Sequence, residues 1–87
     1  MMPCVSEFYG IAIYFYYNDH NPPHFHAEHA ENEATYGIET LNQLTGELPR
    51  RARAMVLEWA SLHRPELRDD WERARQGLPL LPIPPLD

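Results

Sequence analysis

Residues 8–17, FYGIAIYFYY, form an aromatic and β-branched run without a single charge, a composition that favours a strand occupied on both faces. Alternation puts Ile11, Ile13, Phe15 and Tyr17 on one side and Ala12, Tyr14 and Tyr16 on the other. The pattern predicts an inner strand with one tyrosine-lined face, and Gly10 reads as a bulge or a close backbone approach. NDHNPP then ends the run, because Asn and Asp favour turns and Pro22 and Pro23 cannot donate to a ladder. HFHAEHA follows as a second strand, AENE as a polar turn and ATYGIETL as a third strand. A fourth, at Leu41–Leu44, is weakly signalled.

From Pro49 the period changes. Ala52, Met55, Val56, Trp59 and Leu62 recur at three- and four-residue spacing, which is one face of an amphipathic helix starting at Pro49. Pro65 restricts Arg64, so this helix ends near His63 and a second follows at once, striped by Leu67, Trp71 and Ala74 and closed by Gly77 as a C-cap glycine. LPLLPIPPLD is too rich in proline for a helix or an inner strand. It is expected to run as an extended strap over an apolar seam, with a polyproline segment offered to another protein as the alternative. The resulting fold class is α+β: an antiparallel meander of three to four strands, then two helices packed on one face, with residues 1–87 as a single domain.

Composition narrows the function classes. A chain of 87 residues buries roughly 60 to 65% of its unfolded surface, so stability is marginal and a partner or a second copy useful. Thirteen acidic residues face seven basic ones, all arginine, for a formal charge of −6, which opposes strong nonspecific nucleic-acid binding. No apolar run approaches the roughly 20 residues that cross a bilayer. The start lacks the basic flank of a secretory signal and Cys4 stands alone, so a cytoplasmic location is expected and a reactive thiol beside Glu7 is not.

Four of the five histidines fall within residues 20–29. On a strand, His24, His26 and Glu28 project to one side and Phe25, Ala27 and His29 to the other. His24 and His26, about 6 to 7 Å apart at Cα, can grip one ion such as zinc or nickel, with His20 or Asp19 returned by the turn as further ligands. The spacing matches no cysteine-containing or His-Glu-x-x-His zinc signature. The plainer reading has the imidazoles hydrogen-bonded to Tyr14, Tyr16 or Asp19 without any ion. A third reading has histidines near neutrality as general acid and base in phosphodiester cleavage, with Arg50, Arg51 and Arg53 at a helix N-terminus holding phosphate. A solvated arginine trio beside Glu47 is the commoner arrangement. Trp59 and Trp71, both on apolar stripes, are expected in the core, and His63 at a helix end is expected to cap it.

The string EFYGIAIYFYYNDHNPPHFHAEH, followed by GIET, LPRRA, VLEWASLHRPEL and the closing proline pattern, resembles the bacterial domain-of-unknown-function family numbered 4160 from about Val5 to Leu86. Ala30 departs from it, standing where many relatives have glycine, as does TLNQLTGE in place of an acidic turn. The resemblance implies a small protein encoded beside a second small protein, sometimes a DNA-binding one, with some relatives described as toxin components of toxin-antitoxin pairs. It attaches weight to Asn18, Asp19, His20, Pro22, Pro23, His24, Phe25, His26 and Ala27 but assigns no catalytic role. The leading expectation is the toxin half of such a module, a ribonuclease being one form, with His20, His24 and His26 moving protons and Arg50 or Arg51 on phosphate. The other is a non-enzymatic, metal-binding or regulatory partner of a DNA-binding regulator.

Overall fold

The computed structural model describes residues 3–87. Five antiparallel strands, β1 (Cys4–Phe8), β2 (Ile11–Tyr14), β3 (His24–His29), β4 (Asn32–Gly37) and β5 (Gln43–Gly46), follow one another in sheet order β1-β2-β3-β4-β5. Helices α1 (Arg50–Leu62) and α2 (Arg64–Arg75) come next. The α+β meander holds, with five strands where the pattern predicted three to four.

The extra strand, β1, lies before the apolar run and shares only Phe8 with it. Tyr9 and Gly10 have φ of 49° and 78°, and two successive residues in the left-handed region make the tight hairpin turn whose twist matches its strands. Phe8 consequently lies opposite Ile11, and the stretch expected as one strand with a bulge is the end of β1, a turn and β2, with residues 15–17 beyond the end of β2. At the β3–β4 turn Ala30 takes φ 55°, which accounts for glycine being the easier residue at that position. The weakly signalled fourth strand exists as β5, displaced to Gln43–Gly46.

Phe8, Ile11, Ile13, Phe25, Ala27, Ala34 and Tyr36 are buried and pack with Val56 and Trp59 of α1 and Leu67 of α2 into one core. The Trp59 ring sits 5.4 Å from Phe8 and 6.1 Å from Phe25. Helix α2 ends in the arrangement its sequence announced: Gly77 at φ 72°, with Leu78 N–H donating to the Arg73 carbonyl and Gly77 N–H to that of Ala74.

The proline-rich tail is the expected strap, and it is fastened at three points. Ile83 N–H donates to the Val5 carbonyl at 2.8 Å, covering the outer edge of β1. Trp59 Nε1–H donates to the Pro84 carbonyl at 2.8 Å, and Leu81 N–H donates to Asp70 Oδ1 at 2.8 Å.

Asp70 is buried, and its Oδ2 has no hydrogen-bond partner. Burial pushes this carboxyl above its ordinary value of 3.8, with Asp69 adding to the effect and the Leu81 N–H and Arg73 opposing it. A raised folded-state pKa gives stability that is present below the unfolded value and lost as pH rises through the folded one. Asp70→Asn cannot ionise and escapes that loss. Its stability relative to the parent should therefore increase as pH rises from below the ordinary carboxylate value through the raised folded-state value in urea denaturation, other groups cancelling in the difference.

Candidate functional site

Register, more than proximity in sequence, assembles the site. In β3 the alternate positions His24 and His26 share one face. His26 lies opposite Tyr14 of β2 and Thr35 of β4, and Thr35 lies opposite Thr45 of β5. Tyr14, His26, Thr35 and Thr45 thus form a row across the sheet, with the Thr35 and Thr45 hydroxyls 2.7 Å apart. His26, Thr35 and Thr45 of this row line an open cleft, and Tyr16 and residues 19–22 of the β2–β3 loop line it from the side. Its volume is about 360 Å³.

The loop delivers the carboxylate. Asn18 adopts φ 58° and its N–H donates to the Ala74 carbonyl at 3.4 Å, tying the turn to α2. Asp19 Oδ1 accepts the His20 N–H at 3.0 Å. Its Oδ2 stands 2.9 Å from His24 Nε2 and 3.2 Å from His26 Nε2. One donor atom from each of Asp19, His24 and His26 falls within 4.8 Å of the others.

The hydrogen on His24 is fixed by its other nitrogen. Nδ1 lies 2.7 Å from the Pro22 carbonyl oxygen, which can only accept, so Nδ1 carries the proton. In neutral His24 the Nε2 atom is then a bare lone pair aimed at a carboxylate oxygen. Burial resists ionisation of Asp19, but the His26 hydrogen bond, the charge of His24 and the His20 N–H together hold its carboxyl below the usual 3.8. Burial also holds the His26 imidazole below 6.5, with the His24 charge acting the same way and Asp19 opposing both. The cluster therefore concentrates electron pairs, and either a proton or a cation must offset their repulsion.

Aromatic rings fix the two imidazoles. Tyr14 stacks on His26 at 5.2 Å and an interplanar angle of 16°, and Tyr16 meets His26 at 4.4 Å and 83°. Trp71 of α2 lies 5.2 Å from the His24 ring. The tyrosine-lined face of the sequence is this wall of the site. Trp71, placed by its stripe in the core, is buried there and also backs His24.

His20 is different: its side chain is 94% exposed, with Nδ1 3.5 Å from Asp19 Oδ1, so it stands at the rim of the cleft. Arg50 and Arg51 are exposed in the first turn of α1, and no arginine lines the cleft. His29 takes no part, and His63 instead joins Glu66 at 2.9 Å where the two helices meet. Asn21, Pro22, Thr35, Leu44 and Thr45 complete the lining. Sequence reasoning did not single out Thr35, Leu44 or Thr45, because only the pairing of β3, β4 and β5 brings them to the histidines.

A family model described as Domain of unknown function (DUF4160) matches residues 10–72, a span that holds Asp19, His24, His26 and Trp71. No curated protein and no solved structure matches the chain. Among the described residues, no helix is long and apolar enough to cross a membrane.

Proposed function

The chain belongs to the DUF4160 family, and from that premise we propose that its cleft holds one divalent metal ion, zinc or nickel, on Asp19, His24 and His26. The observation that carries this is the His24 tautomer. A backbone carbonyl takes the Nδ1 hydrogen at 2.7 Å and leaves Nε2 as a donor toward the cluster, an arrangement that orients metal-binding histidines generally. Ligands about 2.1 Å from a tetrahedral zinc stand about 3.4 Å apart. The 2.9 and 3.2 Å separations here come close to that.

The ion-free reading requires hydrogens on both nitrogens of His24. That means an imidazolium on His24, 2.9 Å from the Asp19 carboxylate. A metal ion would satisfy the Nε2 lone pairs of both rings with each imidazole neutral. Asp19, His24 and His26 would supply three protein ligands, the number typical of catalytic rather than structural zinc, and the ion would supply Lewis acidity there.

On this basis the leading role is the toxin half of a two-gene module, acting in the cytoplasm on RNA by metal-assisted hydrolysis of a phosphodiester. Arg50 and Arg51 drop out of that chemistry, because none of the residues lining the cleft is an arginine. The ion supplies the positive charge that the transition state needs. A second reading, favoured by the formal charge of −6, is a metal-holding partner of a DNA-binding regulator with no activity on RNA.

Induced expression with and without the neighbouring gene product, followed by RNA analysis, decides between them. The toxin reading expects growth arrest and RNA loss that the neighbour relieves and Asp19→Asn abolishes. Normal growth and intact RNA, in cells whose protein carries metal, contradict it and support the regulator.

A further inference from the structure

The cleft has a second, aromatic half that the metal reading leaves unused. Tyr16 is 37% exposed while its ring stands perpendicular to both Tyr14 and His26, so it lines the cleft beside the Asp19, His24 and His26 cluster instead of closing into the core. Apart from the exposed His20 at the rim, the remaining lining carries no ionisable side chain: Asn21, Thr35 and Thr45 offer donors and acceptors, and Leu44 and Pro22 offer apolar surface. In the Thr35–Thr45 pair one hydroxyl hydrogen is spent on the other oxygen, which leaves the second available to a ligand.

Charge and size limit what fits. A divalent ion beside Asp19 leaves about one positive charge, and among the described residues the lining holds no arginine, the solvent-facing His20 at its rim being the remaining basic side chain. The volume of about 360 Å³ lies at the small end of the range of about 300 to 1,000 Å³ for small-molecule sites. A base pair held in a stacked duplex cannot present its ring face to Tyr16, whereas an unpaired base can.

Resting on the metal reading, we propose that this cleft binds a single unpaired nucleotide unit, with one phosphoryl group at the Asp19, His24 and His26 cluster and the flat base against Tyr16. The same chemistry is carried by a free nucleoside monophosphate and by one residue of single-stranded RNA. Tyr16 is thereby the residue that sets specificity for a base-bearing ligand, and the hydroxyl and amide groups of Thr35, Thr45 and Asn21 are left to face the sugar or the base edge.

The test uses the full chain loaded with zinc, its metal content measured in each sample, and titrates AMP, ribose 5-phosphate, a short single-stranded oligoadenylate and an RNA duplex. AMP should bind at least about tenfold tighter than ribose 5-phosphate, the increment expected for stacking one base on one aromatic ring. Tyr16→Ala should erase that difference, and Tyr16→Phe should restore it, since the ring and not the hydroxyl does the stacking. Oligoadenylate binding tighter than AMP identifies RNA as the source of the unit, and AMP equal to or tighter than oligoadenylate identifies the free nucleotide. Either result supports the proposal. Equal binding of AMP and ribose 5-phosphate to zinc-loaded protein, or a duplex binding tighter than AMP and as tightly as the single strand, overturns it while the metal site stands. Failure to take up zinc removes the metal reading, and this proposal with it.

Discussion

Replacing His26 with alanine should weaken zinc binding by more than about 100-fold. Groups that merely orient a ligand are worth about 10- to 100-fold in metal affinity, and removing one of three protein ligands should exceed that. His24→Ala should do the same. It also frees the Pro22 carbonyl, whose 2.7 Å hydrogen bond now sets the ring. Both imidazoles are buried against aromatic rings, so truncation also removes packing. His26→Gln keeps much of the volume and separates the two effects. A linked change should appear in stability. Free zinc at 100 times its Kd adds about 2.7 kcal/mol to a protein that binds it only when folded. The parent should gain that increment on zinc addition, and the variants should not. Competition titration against a chromophoric chelator measures the affinity, and thermal unfolding with and without zinc measures the linkage.

Trp59→Ala should bring the fold close to collapse. The side chain is fully buried, touches Phe8 and Phe25, and donates its indole N–H to the Pro84 carbonyl of the strap. Truncating a buried tryptophan costs about 3 to 5 kcal/mol, and the lost hydrogen bond adds about 1 kcal/mol. For a small domain, at the low end of the typical reserve of about 5 to 15 kcal/mol, that is most of the stability. Trp59→Phe retains ring packing and loses the N–H, so it should lose less and release the strap selectively. Urea denaturation ranks the three proteins, and proteolysis of residues beyond Gly77 reports release of the tail.

These results would bear on how the fold was read. Helix periodicity is legible because its consequences are local: of the stripe Ala52, Met55, Val56, Trp59 and Leu62, three residues are buried and Met55 is half-buried, while Leu62 in the last turn is exposed. The Tyr9–Gly10 turn was missed because tyrosine in the left-handed region carries no local signal, and an uncharged run of ten residues looks continuous. The flanking β1, with Ser6 and Glu7 among its five residues, is too short and too polar to stand out before its partner is known.

The candidate site divides along the same line. His24 and His26 follow from strand alternation, and Asp19 follows from a turn that must reverse the chain. His20 obeys the same turn logic, yet its ring points to solvent while the backbone N–H binds Asp19. Whether a turn residue faces inward depends on dihedral angles that spacing does not encode. Thr35, Thr45 and Trp71 join the site through sheet register and through the contact of α2 with β3, both long-range properties of the whole fold. The arginines of α1 show the converse: a cluster conspicuous in sequence is exposed and is not part of the cleft lining.

The most direct measurement is nitrogen NMR of the histidine side chains in untagged protein, titrated with zinc above pH 7. The account predicts one zinc per chain, with His24 and His26 holding hydrogen on Nδ1 and both Nε2 resonances moving to the metal-bound range as Asp19 joins them. Nε2 signals of both rings that stay unchanged at saturating zinc, or a His24 that carries hydrogen on both nitrogens throughout, would contradict it.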